Sequence, residues 1–154
     1  MITYSIDASS ANQKKKTGVH WYAHQLIQHM KTQPLREDER VVLYSQKKLE
    51  SALGELPENW ESRVLPWPFG GWMQIRMSFE MLRKQPNIFF VPAKGIPRHT
   101  AKNTVTTIHD LGFKRLPGLW PSNECKRLLS DHRRSIKNAR HIFTPSEFTK
   151  SELI

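Results

Sequence analysis

Short apolar, β-branched runs alternate along this chain with stretches whose apolar residues recur three and four positions apart. That alternation constrains the fold more than any other feature. Ile2–Ile6 (ITYSI) predicts a first strand, and Val19, Tyr22, Ala23, Leu26, Ile27 and Met30 predict an amphipathic helix behind it. Thr17 stands where that helix needs an N-cap, and Pro34 lies beyond its end. Val41–Tyr44 predicts a second strand covered on both faces, since it is almost wholly apolar. Lys48–Leu53 predicts a short helix closed by Gly54, and Arg63–Leu65 a third strand cut by Pro66 and Pro68. Trp72, Ile75, Phe79 and Leu82 mark a second long helix ending before Pro86. Ile88–Val91 predicts a short buried strand, and Thr104–Ile108 is the run of highest β propensity.

Ser122 then caps a third long helix, with an expected core stripe of Cys125, Leu128, Leu129, His132, Ile136 and Ala139. Its opposite face is basic: Lys126, Arg127, Arg133, Arg134, Lys137 and Arg140. His141–Thr144 predicts a last strand, and Ser146 with Glu147 opens a final helix. Strands alternating with helices imply an α/β fold: a mostly parallel sheet, helices on both faces, right-handed crossovers and a Rossmann-like topology.

At 154 residues the chain matches one domain, on a prior of about 150 residues each. Its 38% apolar content excludes a disordered chain. The lone Cys125 excludes an internal disulfide framework and a multi-cysteine metal site, and points to a reducing compartment. The longest apolar stretch, Ile88–Val91, is far short of the ~20 residues that span a bilayer, and the first residues lack the pattern of a signal peptide. A cytoplasmic location is therefore expected. The 24 Lys and Arg against 14 Asp and Glu leave a net charge of +10. Such a balance suits nucleic acid, an anionic membrane surface or a phosphorylated small molecule.

In open parallel sheets ligands bind beyond the carboxyl ends of the strands, so the loops after Ile6, Val91 and Ile108 carry the interest. The first runs from Asn12 through Lys14, Lys15 and Lys16 to Thr17 and Gly18. It enters a helix N-terminus, where free N–H groups and the positive helix end suit phosphate, or it is simply a solvated loop with a cap. It is neither a G-x-G-x-x-G turn nor a P-loop. His109 and Asp110 end the strongest strand, where an imidazole can face a ligand; the plainer alternative is a histidine bonded to backbone beside a turn-capping aspartate. His20 and His24, four apart, lack a third ligand for a metal and read as surface residues. Trp67, Phe69 and Trp72 form an aromatic loop that suits stacking on a sugar or base, contact with a membrane, or a local lid.

Three segments together carry a resemblance. Ile6-Asp7-Ala8-Ser9 leading to Lys16-Thr17-Gly18-Val19 and Tyr22, then Thr107-Ile108-His109-Asp110-Leu111, then Thr144-Pro145-Ser146-Glu147-Phe148-Thr149, stand in this order. The chain resembles the N-terminal domain of group 1 retaining glycosyltransferases of GT-B architecture, with residues 45–100 matching least distinctively. The resemblance implies a single Rossmann-like acceptor-side domain over 1–154, with a C-terminal donor-binding domain absent and little activity alone. It implies a nucleotide-sugar donor as substrate, a glycan or lipid-linked acceptor, no cofactor and no metal. Gly18, with Thr17, takes the place of the glycine-loop residue near the donor diphosphate, and His109, with Asp110, that of the cleft histidine beside the donor sugar. Asn12, Lys14, Lys16 and Trp72 are the expected acceptor or cleft residues. Transfer with retention needs no dedicated protein nucleophile. The competing expectations are a basic nucleic-acid-binding module, the less favoured one, and a module docked peripherally on an anionic membrane, at its inner face.

Overall fold

Six parallel strands lie in the order β3-β2-β1-β4-β5-β6. They are β1 (Ile2–Asp7), β2 (Glu39–Ser45), β3 (Trp60–Val64), β4 (Ile88–Val91), β5 (Thr104–Thr107) and β6 (His141–Phe143). The computed structural model describes residues 1–154 apart from the side chain of Pro117. Neighbouring strands pair in parallel throughout, with Tyr4 opposite both Val41 of β2 and Ile88 of β4. The Rossmann-like α/β fold expected from the alternation is present. The strand order reverses between β1 and β4, and that switch point leaves a crevice beyond the carboxyl ends of the two strands.

Strand periodicity explains the two core layers. In β2, Val41 and Leu43 join Ile6, Ala23 and Ile27 under α1 (Gly18–Lys31), on one face of the sheet. Val42 and Tyr44 point the other way, into a cluster with Met73, Met77, Met81, Phe89 and Val91. Because both faces are buried, the strand reads as a continuous apolar run rather than an alternating one. Along the edge, β3 begins earlier than expected, at Trp60, whose ring is buried in the α1 layer. The expected short helix over 48–53 is reduced to a single tight turn, Ser51–Leu53, closed by Gly54 at φ +67°, a backbone region that glycine adopts without strain.

The second helical segment is rotated relative to the expected stripe. It starts with a wide turn over Met73–Met77, in which Met77 N donates to Trp72 O, and continues as α2 (Ser78–Arg83). Met73, Met77 and Met81 face the core, whereas Ile75, Phe79 and Leu82 are 52%, 52% and 60% exposed. Two apolar stripes compete in this segment, and the flexible, unbranched methionines fill the irregular space against the sheet.

The third long helix, α4 (Ser122–Asn138), also departs from expectation. Its buried residues are Asp131 and Ser135, while Ile136, expected in the core, is half exposed. Asp131 fits where Gly95 has no side chain: a Cβ there would sit 2.6 Å from Asp131 Cβ. The Asp131 carboxylate accepts from Arg134 Nη1 at 2.8 Å, Gln74 Nε2 at 3.2 Å and Arg127 Nη1 at 3.4 Å. A buried carboxylate is tolerated because it is paired. Between β5 and α4 lies a one-turn helix, α3 (Gly112–Arg115), and the chain closes with α5 (Glu147–Leu153).

Candidate functional site

A cleft of about 620 Å³ opens at the carboxyl ends of β4 and β5, bounded by the 71–74 turn and by α4. His109 lies in its wall, two residues beyond the end of β5. Pro92 O can only accept, so His109 Nε2 carries the proton of the 2.9 Å bond between them. The Tyr22 ring meets the imidazole edge-on at 4.8 Å, and the Tyr22 hydroxyl in turn bonds Thr107 Oγ1 at 3.2 Å. From the chain's last helix, Thr149 Oγ1 donates to His109 O at 3.1 Å, while Ser146 Oγ caps α5 by accepting from Thr149 N. The His109 and Ser146–Thr149 segments, far apart in sequence, thus meet in space. Two contacts hold the imidazole itself, Pro92 O on Nε2 and the edge-on Tyr22 ring, while Thr149 holds the His109 backbone; Nδ1 is left without a partner among the described residues.

Asp110 does what a turn-capping aspartate does: its Oδ1 accepts from Gly112 N at 2.8 Å and starts α3. It also lines the cleft.

The α1 end of the crevice is built differently from the sequence reading. Thr17 is the N-cap of α1, and its N–H donates to His20 Nδ1 at 3.2 Å. His20 here takes the place of the usual glutamate of a capping box. Burial, then Lys94 and Lys16, push the His20 pKa down and favour the neutral, accepting ring. A side chain at Gly18 would meet nothing within 4 Å, so the first turn of α1 is open to solvent. Lys14 is exposed, and Lys16 is turned back on its own loop, donating to Gln13 O at 2.7 Å beneath the Trp21 ring. Asn12 does not face the cleft: Nδ2 donates to Lys48 O and Oδ1 accepts from Glu50 N, clamping the loop after β2. Trp72 does line the cleft, but it is 7% exposed and its Nε1 is used on Leu65 O, so it forms wall rather than a free stacking platform. His24, expected at the surface, is buried against the 8–11 segment, and burial pushes its pKa down.

Two groups at the switch point escaped the sequence reading. Asp7, at the end of β1, is wholly buried; Oδ1 accepts from Ser9 N, and Oδ2 has no partner. Burial pushes its pKa up, with Lys94 opposing. Lys94 follows β4, donates to Ser9 Oγ at 3.2 Å and lines the cleft. Its signal was positional: the loop after Val91 was singled out, and Lys94 is its first cation. On α4, Arg127, Asp131 and Glu124 line the far wall, and the only sequence trace of that polar wall was an acid recurring on a basic helix.

The crevice therefore joins the His109 imidazole, Lys94, Val19 of the first turn of α1 and the mixed-charge wall of α4, whereas Lys14, Lys16, Thr17 and Gly18 do not line it. Such a set can hold hydroxyl-rich, anionic ligands and order their hydroxyls. No group of three or more His, Cys, Asp or Glu among the described residues is arranged to hold a metal ion. No helix among them is long and apolar enough to cross a membrane. No family model, no curated protein and no solved structure matches the chain.

Proposed function

We propose that this chain is the acceptor-side domain of a retaining glycosyltransferase, acting with a second domain that binds the nucleotide-sugar donor. The observation that carries the reading is His109, held at the mouth of the switch-point crevice by Pro92, Tyr22 and Thr149. Immobilising a group before the ligand arrives is how a site contributes through positioning. With Nε2 committed to Pro92 O, Nδ1 is the ring nitrogen open to a sugar hydroxyl. The open first turn of α1 behind Gly18 offers N–H groups to the donor diphosphate.

The test is sugar transfer by this chain joined to a donor-binding domain, assayed across nucleotide-sugar donors and glycan or lipid-linked acceptors. His109→Ala is expected to lower kcat/KM by at least about 100-fold, the size of losing one preorganised hydrogen-bonding group. Wild-type transfer by a folded His109→Ala protein refutes the role.

A second element of the reading is docking at the inner face of a membrane, favoured by the exposed Ile75, Phe79 and Leu82 beside Arg83 and Lys84. Apolar side chains flanked by cations suit an anionic interface. Co-sedimentation with vesicles checks it, and indifference to lipid charge counts against it. The nucleic-acid alternative has less behind it, because Arg127 and Arg134 of the basic helix are committed to Asp131. Binding to DNA or RNA that falls steeply with salt would revive it.

A further inference from the structure

At the opposite end of the strands from the cleft, a recess of about 310 Å³ opens on the sheet face that α2 covers only in part. The helical segment over this face ends at Arg83, and the recess opens past that end, over the amino-terminal part of β1 and β2. Strand periodicity brings Thr3 and Ser5 of β1 to this face beside Arg40 and Tyr44 of β2. Arg63 of β3 and Lys84, just after α2, complete the rim.

The charge balance of the recess is one-sided. Arg63 is engaged by Glu61 at 2.6 Å and by Glu80 at 3.8 Å, and Glu80 is shared with Arg76. Arg40 and Lys84 have no carboxylate partner among the described residues; Arg40 uses only Nε, on Thr3 Oγ1 at 3.0 Å. Two cations thus face the recess with donors to spare.

An independent observation points the same way. Ser5 is 1% exposed and lines the recess, and its Oγ makes no well-formed hydrogen bond among the described residues, its one polar neighbour being the Tyr44 hydroxyl. Tyr44 Oη accepts from Arg63 Nη1 at 3.3 Å. A buried hydroxyl without a partner is costly, and an acceptor entering the recess would relieve it.

We propose that this recess is a binding site for a phosphate monoester. Its oxygens take the Arg40 guanidinium fork, the Lys84 ammonium and the Ser5 hydroxyl together, a donor set matched to a dianion with three terminal oxygens. The site lies apart from the cleft and does not depend on the glycosyltransferase reading. The same chemistry comes free in solution or as a lipid headgroup, and the exposed Phe79 and Leu82 next to Lys84 make both sources physical.

The experiment is a titration of the whole chain with glycerol 3-phosphate, followed by amide chemical shifts at physiological ionic strength. A parallel arm uses vesicles containing phosphatidic acid, compared with phosphatidylglycerol at matched charge. The expected result is saturable shifts at Thr3, Ser5, Arg40 and Tyr44, weakened at least about tenfold by Arg40→Gln and by Lys84→Gln, since a charge-assisted hydrogen bond is worth that factor or more. Ser5→Ala is expected to weaken binding with little change in melting temperature, because Ser5 Oγ makes no well-formed hydrogen bond and Tyr44 Oη keeps its bond from Arg63. Preference for phosphatidic acid, sensitive to the same substitutions, supports the site with a lipid source even where the soluble ester fails. Shifts confined to Lys14–Lys16 or α4, binding indifferent to all three substitutions, or no response to either probe overturns the proposal.

Discussion

Gly95→Ala tests the least expected feature of the fold, a helix seated on its polar side. The added Cβ would lie 2.6 Å from Asp131 Cβ and 2.8 Å from its Cγ. These atoms sit at the root of a side chain on α4, so they cannot swing aside without moving the helix. Overpacking of this kind costs about 1–3 kcal/mol. Displacing α4 also stretches the contacts of Asp131 to Arg134, Gln74 and Arg127. In the other direction, alanine restricts the unfolded chain and returns about 0.4–1 kcal/mol. The clash wins, with a net loss of about 1–2 kcal/mol. For a chain of this length that lowers Tm by about 2–8 °C, at about 2–4 °C per kcal/mol. Circular dichroism melts and urea titrations measure it, with Asp131→Asn as a companion that keeps the volume and removes the charge. A Gly95→Ala protein as stable as wild type would refute the close seating of α4 on the 94–96 turn.

Gly18→Ala is expected to stabilise by about 0.4–1 kcal/mol, since the position opens a helix and a Cβ there meets nothing within 4 Å. Destabilisation in urea titrations would refute the open geometry of the first turn of α1. Asp7→Asn is expected to gain on wild type as pH rises from about 4 to about 8. Burial lifts the folded pKa of Asp7 above its unfolded value, so the folded state binds that proton more tightly, and the stability this gives at low pH is lost as pH climbs through the folded pKa. Melting both proteins across that range checks the sign, and a gap that narrows with pH contradicts it. Met77→Ala is expected to cost about 2–5 kcal/mol, and Ile75→Ser less than about 0.5 kcal/mol, because Met77 is fully buried and Ile75 is 52% exposed. Reversal of that order in denaturant titrations would restore the stripe that spacing alone suggests.

The strands were legible because they are determined locally. β2 is apolar on both faces, and a strand covered on both sides has no other way to read. The helix faces were harder. In the 72–83 segment apolar residues occur on two sides, so the pattern names a helix without naming its inner face; the wide turn at Met73–Met77 and the shape of the sheet decide between them. On α4 the expected stripe is partly buried apart from Ile136, but the buried positions between its members are polar, Asp131 and Ser135. The inner face is chosen by one acid that fits over a glycine from another loop, and no spacing within the helix encodes that contact.

The candidate site divides along the same line. His109 was found because its position, at the end of the strongest strand, is itself a local property. What makes it a fixed group is not local: Pro92 comes from the neighbouring strand's end, Tyr22 from α1 and Thr149 from the last helix. Asn12 shows the converse. A polar residue in a basic loop looks available to a ligand, yet both ends of its amide are used by backbone 35 or more residues away. Asp7 stands in the first resemblance segment and Lys94 in the loop after β4, and neither looks like a site residue alone; parallel pairing of β1 with β4 sets them at one crevice, where Lys94 opposes the rise that burial gives the Asp7 pKa. Residue type and strand position together nominate candidates, and the pairing of strands distant in sequence selects among them. For that reason the strongest functional inference rests on the convergence at His109 rather than on the basic charge of the chain, of whose helix-face cations Arg127 and Arg134 are engaged by Asp131.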